Sequence, residues 1–469
     1  MKNMTLRRIA EECSGILHVG KGMEDIAASP VEGITTDSRA VKDGFLFAAL
    51  KGERVDGHNY IGQAYEKGAV CALTEKDLPE VTDKCWIRVR SVMEALALIA
   101  RAYRKELGIP VVGIAGSVGK TSTKEMVASV LSQKYRTLKT PGNLNNELGV
   151  PLTIFTMTEE HERAVLEMGI NHFGEMHRLA NMVRPDICVM TNIGECHLEY
   201  LIDRDGVLRA KTEIFDYLNA DGHIVLNGND DKLVTVKPVN GVVPVFFGLK
   251  DRMPANAAAE GVELSYWADN IGEPGLDGTS CTIHTPQGSF DVTVPIPGLH
   301  YIMNALAGAA VGCICGLTLD EIRRGIESVQ PVGGRFRVVR GGRYTLIDDC
   351  YNANPVSMRS SLHVLGYAKG RRVAVLGDMA ELGPDEIAFH EQVGEFAAET
   401  KPDLLVGIGE RSLALVDAAR RKDPKLKAVH FQDTESFIKE SGKLLEEGDI
   451  VLVKASHCME FSKIIDALS

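Results

Sequence analysis

The chain has 469 residues, of which 45% are apolar and 25% charged, and its formal net charge at pH 7 is −12. This length accommodates about three domains, and the composition is that of a globular enzyme. The acidic balance argues against a general affinity for nucleic acid or membrane surfaces, but it does not exclude local phosphate sites. The ten cysteines show no C-x-x-C spacing, which predicts reduced thiols and no zinc site.

The first residues of the sequence do not read as a targeting segment. Glu11 and Glu12 fall where a signal peptide needs its apolar core, and the longest apolar run, residues 305–315, is too short to span a bilayer. We therefore expect a cytoplasmic protein without a membrane segment.

Residues 1–108 predict a small mixed α/β domain. The apolar run Phe45–Leu50 lies between turn residues and indicates a strand. Residues Val92–Leu107 carry apolar side chains at spacings of three and four, which predicts a helix leading towards the next domain.

Residues 109–330 alternate strand and helix patterns, which predicts a mainly parallel sheet with helices on both faces. A Gly-, Pro- and Thr-rich stretch, 240–298, predicts a small antiparallel excursion, and a small-residue helix is expected to follow at Asn304–Leu317. The predicted strands are Val111–Ala115, Ala164–Met168, Ile187–Asn192 and His223–Leu226. The predicted helices are Thr121–Tyr135, Gly174–Met182 and Asp205–Leu218.

Residues 331–469 alternate again and predict a compact, doubly wound, Rossmann-like domain. The predicted strands are Tyr344–Asp348, Arg372–Leu376, Leu404–Ile408 and Ile450–Val453. The predicted helices include Val356–Leu365, Asp385–Glu399 and Thr434–Leu445.

The segment VVGIAGSVGKTST, residues 111–123, carries the clearest chemical signal. A buried-strand pattern ends in a glycine loop, and a helical pattern follows at once. Glycines let backbone N–H groups turn onto phosphate oxygens, and the helix N-terminus adds a positive dipole. Lys120 would reach the terminal phosphates and Thr121 would bind magnesium. The first glycine of the usual G-x-x-x-x-G-K-[ST] pattern stands at Gly113 instead of at position 114; a plain glycine turn capping a helix is the alternative.

Three further side chains follow strands of the same predicted sheet, namely Glu167, His197 and Lys211. Ligands bind at the carboxyl ends of such strands, and Glu and His can ligate magnesium or manganese. Each residue alone also fits an ordinary role, as a cap, a hydrogen-bonding histidine or a solvated charge.

Two kinds of polar loop complete the candidate site. The stretch TPGNLNNELGVP places Asn143, Asn145 and Asn146 between glycines. This pattern suits either a plain turn or a substrate-binding loop beside the phosphate cradle, the name used here for the glycine loop and the helix start that follows it. In the last domain, DDCYNANP (348–355), GDMAELG (377–383) and KASH (454–457) each follow a predicted strand. Arg335 lies at the domain junction, from where an arginine could reach the nucleotide.

Together these segments resemble the Mur ligase family, the ATP-dependent amide-forming enzymes of bacterial cell-wall precursor synthesis. The resemblance covers essentially the whole chain, and it departs at Tyr301, where many members have asparagine, and at Ala455, where glycine is common. It rests on TDSR (36–39), GSVGKTST (116–123), GNLNNELGVP (142–151), LEMG (166–169), TNIGECHLE (191–199), AKTEIF (210–215), GGRF (333–336), DDCYNANP and GDMAELG. The GNxNN, YNANP and GDMxELG segments are similar to those of the members that add D-alanyl-D-alanine to a UDP-N-acetylmuramoyl-tripeptide.

The resemblance implies a role for each candidate residue. Lys120 would hold the β- and γ-phosphates of ATP and act catalytically with His197 and a carbamylated Lys211. Thr121 would bind one Mg²⁺, while Glu167, His197 and the Lys211 carbamate would bind a second. The implied nucleotide-binding residues are Gly116, Ser117, Val118, Gly119, Lys120, Thr121, Ser122, Asn304, Arg335 and Asp349. The implied substrate-binding residues are Ser38, Arg39, Asp56, His58, Asn143, Asn145, Asn146, Tyr351, Asn352 and Asn354.

The implied reaction has two steps, in which the tripeptide carboxylate is phosphorylated by ATP and the dipeptide amine then displaces phosphate. The implied partners are these two substrates and no nucleic acid or membrane, and the chain is expected to be a monomer. The alternatives are a Mur-type ligase adding the third residue, a folate-type glutamate ligase, or a P-loop NTPase switch. The GNLNNELG and YNANP segments count against both other ligases, and the lack of a guanine-reading Asn/Thr-Lys-x-Asp motif counts against a GTPase switch.

Overall fold

The computed structural model describes residues 1–52, 55–81, 83–272 and 275–469. Within these ranges the chain forms three α/β units, each built on its own sheet, and we name them the first, central and third layer in chain order. This is the three-part architecture that the alternation of strand and helix patterns predicts. None of the helices in these ranges is both long enough and apolar enough to cross a membrane.

The first sheet has the strand order β1-β5-β4-β3-β2. Strand β1 is antiparallel to β5, and all the other neighbouring strands are parallel to each other. Its helix α4 coincides with the predicted one because both ends are capped: the Ser91 hydroxyl accepts from the Glu94 N–H, and Gly108 ends the helix in the left-handed region. The elements are α1 (Leu6–Glu12), β1 (Ile16–His18), α2 (Glu24–Ala28), β2 (Gly33–Thr35), β3 (Phe45–Ala48), α3 (Ile61–Glu66), β4 (Cys71–Thr74), β5 (Cys85–Arg88) and α4 (Val92–Leu107).

The central sheet has the order β14-β13-β12-β11-β10-β9-β6-β8-β7. It is parallel from β7 to β12, and the predicted antiparallel excursion is the extension β12-β13-β14 of this same sheet. The elements are β6 (Val111–Ala115), α5 (Lys120–Leu131), β7 (Thr137–Lys139), α6 (Gly149–Ile154), β8 (Arg163–Glu167), α7 (Glu175–Val183), β9 (Ile187–Met190), α8 (Leu198–Leu201), α9 (Arg204–Thr212), β10 (His223–Asn227), β11 (Val245–Gly248), β12 (Leu264–Asp269), β13 (Thr279–Thr285), β14 (Gly288–Val294), α10 (Leu299–Ile314) and α11 (Leu319–Glu327).

The third sheet has the order β15-β16-β20-β17-β18-β19, with β15 antiparallel at its edge. The short edge strands β15 and β19 and the helices α14 and α16 were not among the predicted elements. The elements are β15 (Arg337–Val339), β16 (Thr345–Asp348), α12 (Pro355–Gly366), β17 (Arg372–Gly377), α13 (Glu386–Thr400), β18 (Leu404–Ile408), α14 (Ser412–Lys422), β19 (Ala428–Phe431), α15 (Thr434–Leu444), β20 (Ile450–Lys454) and α16 (Ser462–Leu468).

Four predicted helix boundaries are wrong, one of them being the end of α10, which lies at Ile314 instead of Leu317. The helix predicted over 121–135 ends at Leu131, and the one predicted over 205–218 gives way after Thr212 to a tighter turn at Glu213–Phe215. Helix α10 begins five residues before the predicted Asn304, because Gly298, with φ of +112°, turns the chain there. A pattern of apolar spacing marks a buried face but not the residue at which the helix is capped.

The hydrophobic cores join the layers. One buried cluster contains Leu73 and Ile87 of the first sheet together with Leu96 of α4 and Leu179 of α7. A second cluster joins Leu306 of α10 to residues of α12 in the third layer, and further clusters fill the outer faces of the first and third sheets. The carboxyl ends of the central and third sheets consequently open onto a common cleft.

Candidate active site

A cavity of about 850 Å³ lies between the central and third layers. Its walls carry the glycine loop, the asparagine loop and the carboxyl ends of β8 and β9 on one side. On the other side they carry the loops that follow β16, β17 and β20. This is the position at which open α/β sheets bind ligands.

The glycine loop is held in shape by hydrogen bonds to Asn192 and Thr191. The Ser117 N–H donates to the Asn192 carbonyl at 3.0 Å, and the Val118 N–H donates to Asn192 Oδ1 at 2.9 Å. The Thr191 hydroxyl donates to the Val118 carbonyl at 2.6 Å. Gly116 has a φ of +146°, and a Cβ there would stand 2.0 Å from Thr191 Oγ1, so only glycine fits. The shape of the glycine loop is therefore set by hydrogen bonds within the protein.

Lys120 lies at the N-terminus of α5, where its ammonium donates to the Gly116 carbonyl at 3.0 Å. The Lys120 ammonium therefore lies over the glycine loop. The phosphate oxygens of a bound nucleotide would take the place of the Gly116 carbonyl as its hydrogen-bond acceptors.

Glu167 is buried at the end of β8 and accepts hydrogen bonds at both carboxylate oxygens. The Thr121 hydroxyl donates to Oε2 at 2.8 Å, and Asn145 Nδ2 donates to Oε1 at 2.8 Å. The Glu167 N–H in turn donates to the Thr140 hydroxyl at 2.9 Å. The structure therefore brings a predicted metal ligand, the cradle threonine and the asparagine loop into one network.

Lys124 joins this network and is not among the residues that the sequence singled out. Its side chain is fully buried, and its ammonium donates to the carbonyls of Thr140 at 2.7 Å and Gly142 at 3.1 Å. The ammonium also lies 3.9 Å from Glu167 Oε2. A lysine one helical turn after Lys120 is the only sequence signal for it, and that signal does not separate it from a surface lysine.

His197 and Lys211 lie close enough for their charges to interact. Burial, then the positive charges of Lys211 and Lys120, lower the pKa of His197 to about 4. Burial is also the main reason that the pKa of Lys211 falls to about 8, with the Lys120 charge acting in the same direction. The imidazole is therefore neutral at pH 7, and a substantial fraction of Lys211 is a neutral amine at slightly alkaline pH.

Helix α10 closes one end of the cavity. Asn304 Oδ1 accepts a hydrogen bond from the Thr123 hydroxyl at 2.9 Å, which fixes the amide against α5. The Tyr301 hydroxyl lies 3.3 Å from the Ser122 hydroxyl and donates to the Arg335 carbonyl at 3.4 Å, so it links α5 to the junction with the third layer. His300 is half-buried between the rings of Tyr301 and Phe336, and its Nε2, which is buried, has no hydrogen-bond partner.

The loops of the third layer form the opposite wall. The Arg335 guanidinium lies over the Tyr351 ring at 4.1 Å. Lys454 donates to Asp349 Oδ2 at 2.7 Å and to the Asn352 carbonyl at 2.9 Å, so it holds the whole 349–352 loop. Asn354 caps α12, since its Oδ1 accepts from the Ser357 N–H at 2.8 Å. The side-chain oxygen of Asn146 plays a similar local part by accepting from the Gly149 N–H.

The predicted site residues in the first layer do not line the cavity. Asp56 pairs with His58 and with Lys76 at 2.9 Å, and these contacts hold the pKa of its carboxyl far below the usual range. The Ser38 hydroxyl donates to Gln63 at 3.1 Å, and Arg39 is paired with Asp37. These polar groups are already engaged with their neighbours.

Most of the predicted site residues do line this cavity. Those that do are Ser117, Val118, Gly119, Lys120, Thr121, Ser122, Asn143, Asn145, Asn146, Glu167, His197, Asn304, Arg335, Asp349, Tyr351, Asn352 and Asn354. The predicted site residues that do not line it are Gly116, Lys211, Ser38, Arg39, Asp56 and His58.

The donor set fits a magnesium ion that arrives with a nucleotide. Thr121 and Glu167 offer oxygen ligands, which Mg²⁺ prefers, and His197 lies in the same cavity. Within the described ranges, however, no three His, Cys, Asp or Glu side chains are grouped closely enough to hold a metal ion. Because the Lys124 ammonium lies beside the Glu167 carboxylate, the anionic oxygens of a triphosphate are needed to complete the coordination.

Three family models match the chain over these layers. They are described as Mur ligase family, catalytic domain (residues 30–104), Mur ligase middle domain (114–312) and Mur ligase, glutamate ligase domain (334–457). The chain belongs to the Mur ligase family.

The relatives narrow the comparison to one kind of ligase. The chain is 37% identical to the UDP-N-acetylmuramoyl-tripeptide–D-alanyl-D-alanine ligase of Escherichia coli strain K12 over 93% of this chain and 94% of that protein. It is similar to the crystal structure of MurF from Acinetobacter baumannii, with a TM-score of 0.88, 30% identity and coverage of 99% and 98%. The MurF ligase of Thermotoga maritima, solved in complex with ADP, matches with a TM-score of 0.80 and 27% identity over 93% and 96% of the two chains.

Proposed function

We propose that the chain joins D-alanyl-D-alanine to the terminal carboxyl group of UDP-N-acetylmuramoyl-tripeptide, with conversion of ATP to ADP and phosphate, in peptidoglycan precursor synthesis. The observation that carries this proposal is that the phosphate cradle and the third-layer loops line one cavity. A ligase needs an activated carboxyl group and an amine in the same cleft, and relatives named for this activity match 93% and 99% of the chain.

A carboxylate is a poor acyl donor, so ATP must first give it a leaving group. A tripeptide carboxyl oxygen attacks the γ-phosphorus, ADP leaves and an acyl phosphate forms. Because both reactants are anions, the approach requires positive charge between them. We assign that role to Lys120, whose ammonium lies over the glycine loop.

The dipeptide amine then attacks the acyl carbonyl. The C–N bond forms, the amine loses a proton, and phosphate leaves with the carboxyl oxygen that had attacked. We assign the dipeptide to the third-layer wall, where Lys454 holds the loop that carries Tyr351 and Asn352. A cleft shared by two layers excludes water from the acyl phosphate when the layers close.

Two Mg²⁺ ions would be held by Thr121 and by Glu167 with His197, and they would neutralise charge on the transferred phosphoryl group. We further propose that Lys211 is carbamylated. Its pKa near 8 supports this, because a neutral amine adds to CO₂ with loss of a proton. The carbamate is an anion with carboxylate-like oxygens, and it removes the repulsion between an ammonium group and a divalent cation.

The remaining roles are assigned by layer. We propose that Asn304, Arg335 and Asp349 contact the nucleotide, and that Asn143, Asn145 and Asn146 contact the tripeptide end of the UDP-linked substrate. The Ser38, Arg39, Asp56 and His58 cluster would hold its UDP moiety. We take the division into layers at 1–108, 109–330 and 331–469 as three domains of a monomer that acts in the cytoplasm, where ATP is available.

The test is phosphate release from ATP by the full chain, with UDP-N-acetylmuramoyl-tripeptide containing either lysine or diaminopimelate. Release should depend on both this substrate and D-alanyl-D-alanine, and mass spectrometry should identify the pentapeptide. Release with the UDP-linked dipeptide and a single amino acid instead would assign the chain to third-residue addition and contradict the proposal.

A further inference from the structure

The loop after β17 places Glu381 of the third layer against His197 of the central layer. Glu381 Oε2 lies 3.3 Å from His197 Nδ1, across the cavity that both residues line. This is a side-chain contact between the GDMAELG segment and the proposed magnesium ligands. Neither family resemblance nor local sequence assigned a role to Glu381.

The backbone of this loop is fixed at several points. The Met379 N–H donates to His390 Nε2 at 2.9 Å, and the Ala380 N–H donates to the Ser456 hydroxyl at 2.8 Å. Asp378 Oδ1 accepts from the Ser412 N–H at 2.7 Å. Hydrogen bonds with α13, α14 and the loop after β20 therefore fix the position of the backbone that leads into Glu381.

Glu381 itself has a φ of +61°, in the left-handed region that residues other than glycine adopt only at an energetic cost. Its side chain is 67% exposed, so packing does not offset that cost. A strained residue that is held by its surroundings and aimed into a cleft points to a functional constraint.

We propose that Glu381 is a positioning residue whose carboxylate accepts a hydrogen bond from the Nδ1–H of His197 and so leaves Nε2 for the metal ion. Metal-binding histidines are commonly oriented by such a carboxylate on the other ring nitrogen. Because the carboxylate comes from the third layer, the metal site is completed only when that layer closes over the nucleotide. This inference rests on the metal role proposed for His197.

Other charges near His197 do not replace this contact. Lys120 and Lys211 are cationic when protonated, and His172 is a second imidazole. Glu175 is the other nearby carboxylate, but it is engaged with the backbone N–H groups of Asn171 and His172 and with the His172 ring. Glu381 is the carboxylate in contact with Nδ1.

The test is Mn²⁺ binding, followed by electron paramagnetic resonance, to the full chain saturated with a non-hydrolysable ATP analogue. Glu381→Ala should weaken Mn²⁺ binding about tenfold or more, while Glu381→Gln, whose amide oxygen still accepts a hydrogen bond from Nδ1–H, should retain most of the affinity. The kcat should fall in parallel with little change in the KM for D-alanyl-D-alanine. Glu447→Ala, at an exposed carboxylate outside the cavity, is the matched control and should change neither quantity.

Thermal unfolding separates positioning from folding, since an exposed side chain should leave the melting midpoint unchanged. Wild-type Mn²⁺ affinity in Glu381→Ala would overturn the inference. If His197→Ala weakens binding in that case, only the Glu381 role is wrong. If His197→Ala is also without effect, the metal role of His197 is wrong as well, whereas formation of the pentapeptide would still support the proposed ligase.

Discussion

The hydroxyl of Thr121 donates a 2.8 Å hydrogen bond to Oε2 of Glu167, so the first helical turn after the glycine loop is tied to the end of the neighbouring strand β8. The same carboxylate oxygen lies 3.9 Å from the buried ammonium of Lys124. The buried Glu167 side chain therefore has both hydrogen-bond donors and a neighbouring cation, which are what a buried carboxylate requires.

The pairing of Lys124 with Glu167 predicts coupled effects on stability. Lys124→Met leaves Glu167 without its cation, and Glu167→Gln leaves Lys124 with Glu125 as its remaining carboxylate. Each change should lower the free energy of unfolding by about 2 kcal/mol or more, and the double variant should lose less than the sum. Urea unfolding of the four proteins measures the coupling. Strictly additive losses would show that the two charges do not interact.

The position of Lys120 predicts a loss of turnover without a loss of substrate binding. Lys120→Ala removes the charge over the glycine loop and should lower kcat at least about 100-fold, the usual cost of removing one transition-state donor. The UDP-linked substrate should still bind with nearly wild-type affinity, which isothermal titration calorimetry can measure. Arg136→Ala, at an exposed cation outside the cavity, is the control. Substantial residual turnover in Lys120→Ala would refute the assigned role.

The buried amine of Lys211 predicts a dependence on pH and CO₂. Its pKa of about 8 means that the amine is progressively protonated as the pH falls below 8, and an ammonium cannot form a carbamate. Enzyme equilibrated at about pH 6 without bicarbonate should therefore carry less carbamate than enzyme at about pH 8.5 with it, since protonation follows the folded-state pKa. Intact-protein mass spectrometry under non-acidic conditions, or ¹³C NMR with labelled bicarbonate, measures the modification.

The variant Lys211→Ala should be nearly inactive and should recover part of its turnover when acetate or formate is added, because a small carboxylate can replace the missing anion. Chloride at equal ionic strength is the control for a general salt effect. Wild-type activity in the unsupplemented variant would exclude the carbamate from the mechanism.

Burial of His300 predicts a loss of stability in acid. Burial lowers the pKa of His300 to about 4, so between about pH 6.5 and 4 the unfolded chain binds a proton that the folded chain does not. Stability contributed by the neutral ring is thus full above this range and falls as the pH decreases, by about 2 kcal/mol between pH 7 and pH 5. His300→Gln should flatten this part of the pH profile in urea unfolding. An unchanged slope would contradict the assignment.

The sequence predicted the parts of this structure that depend on local pattern. The strand–glycine loop–helix unit at 111–131 and the helix Val92–Leu107 follow from spacing and capping residues that lie next to each other in the chain. The sequence also predicted the edge of the central sheet at which Glu167 and His197 lie, because the carboxyl ends of parallel strands meet at one edge.

The sequence could not predict contacts between distant segments. The neighbouring sequence does not distinguish Lys124 from Lys134. Lys124 is buried beneath the asparagine loop, whereas Lys134 is exposed and donates a hydrogen bond to the Gly316 carbonyl at the surface. The approach of Glu381 to His197 depends on how two layers pack, and the unpaired Nε2 of His300 depends on how the rings of Tyr301 and Phe336 meet it. Asn354 and Asn146 were predicted as substrate residues, yet their side-chain oxygens already accept backbone hydrogen bonds at helix starts.

The central claim is that a carboxyl oxygen attacks the γ-phosphate held by the glycine loop. It is tested most directly with UDP-N-acetylmuramoyl-tripeptide carrying ¹⁸O in its terminal carboxyl group, incubated with the full chain, ATP and D-alanyl-D-alanine. Mass spectrometry of the released phosphate should show one ¹⁸O atom for each pentapeptide formed, since the attacking oxygen leaves with the phosphoryl group. Phosphate that contains no ¹⁸O would contradict the account.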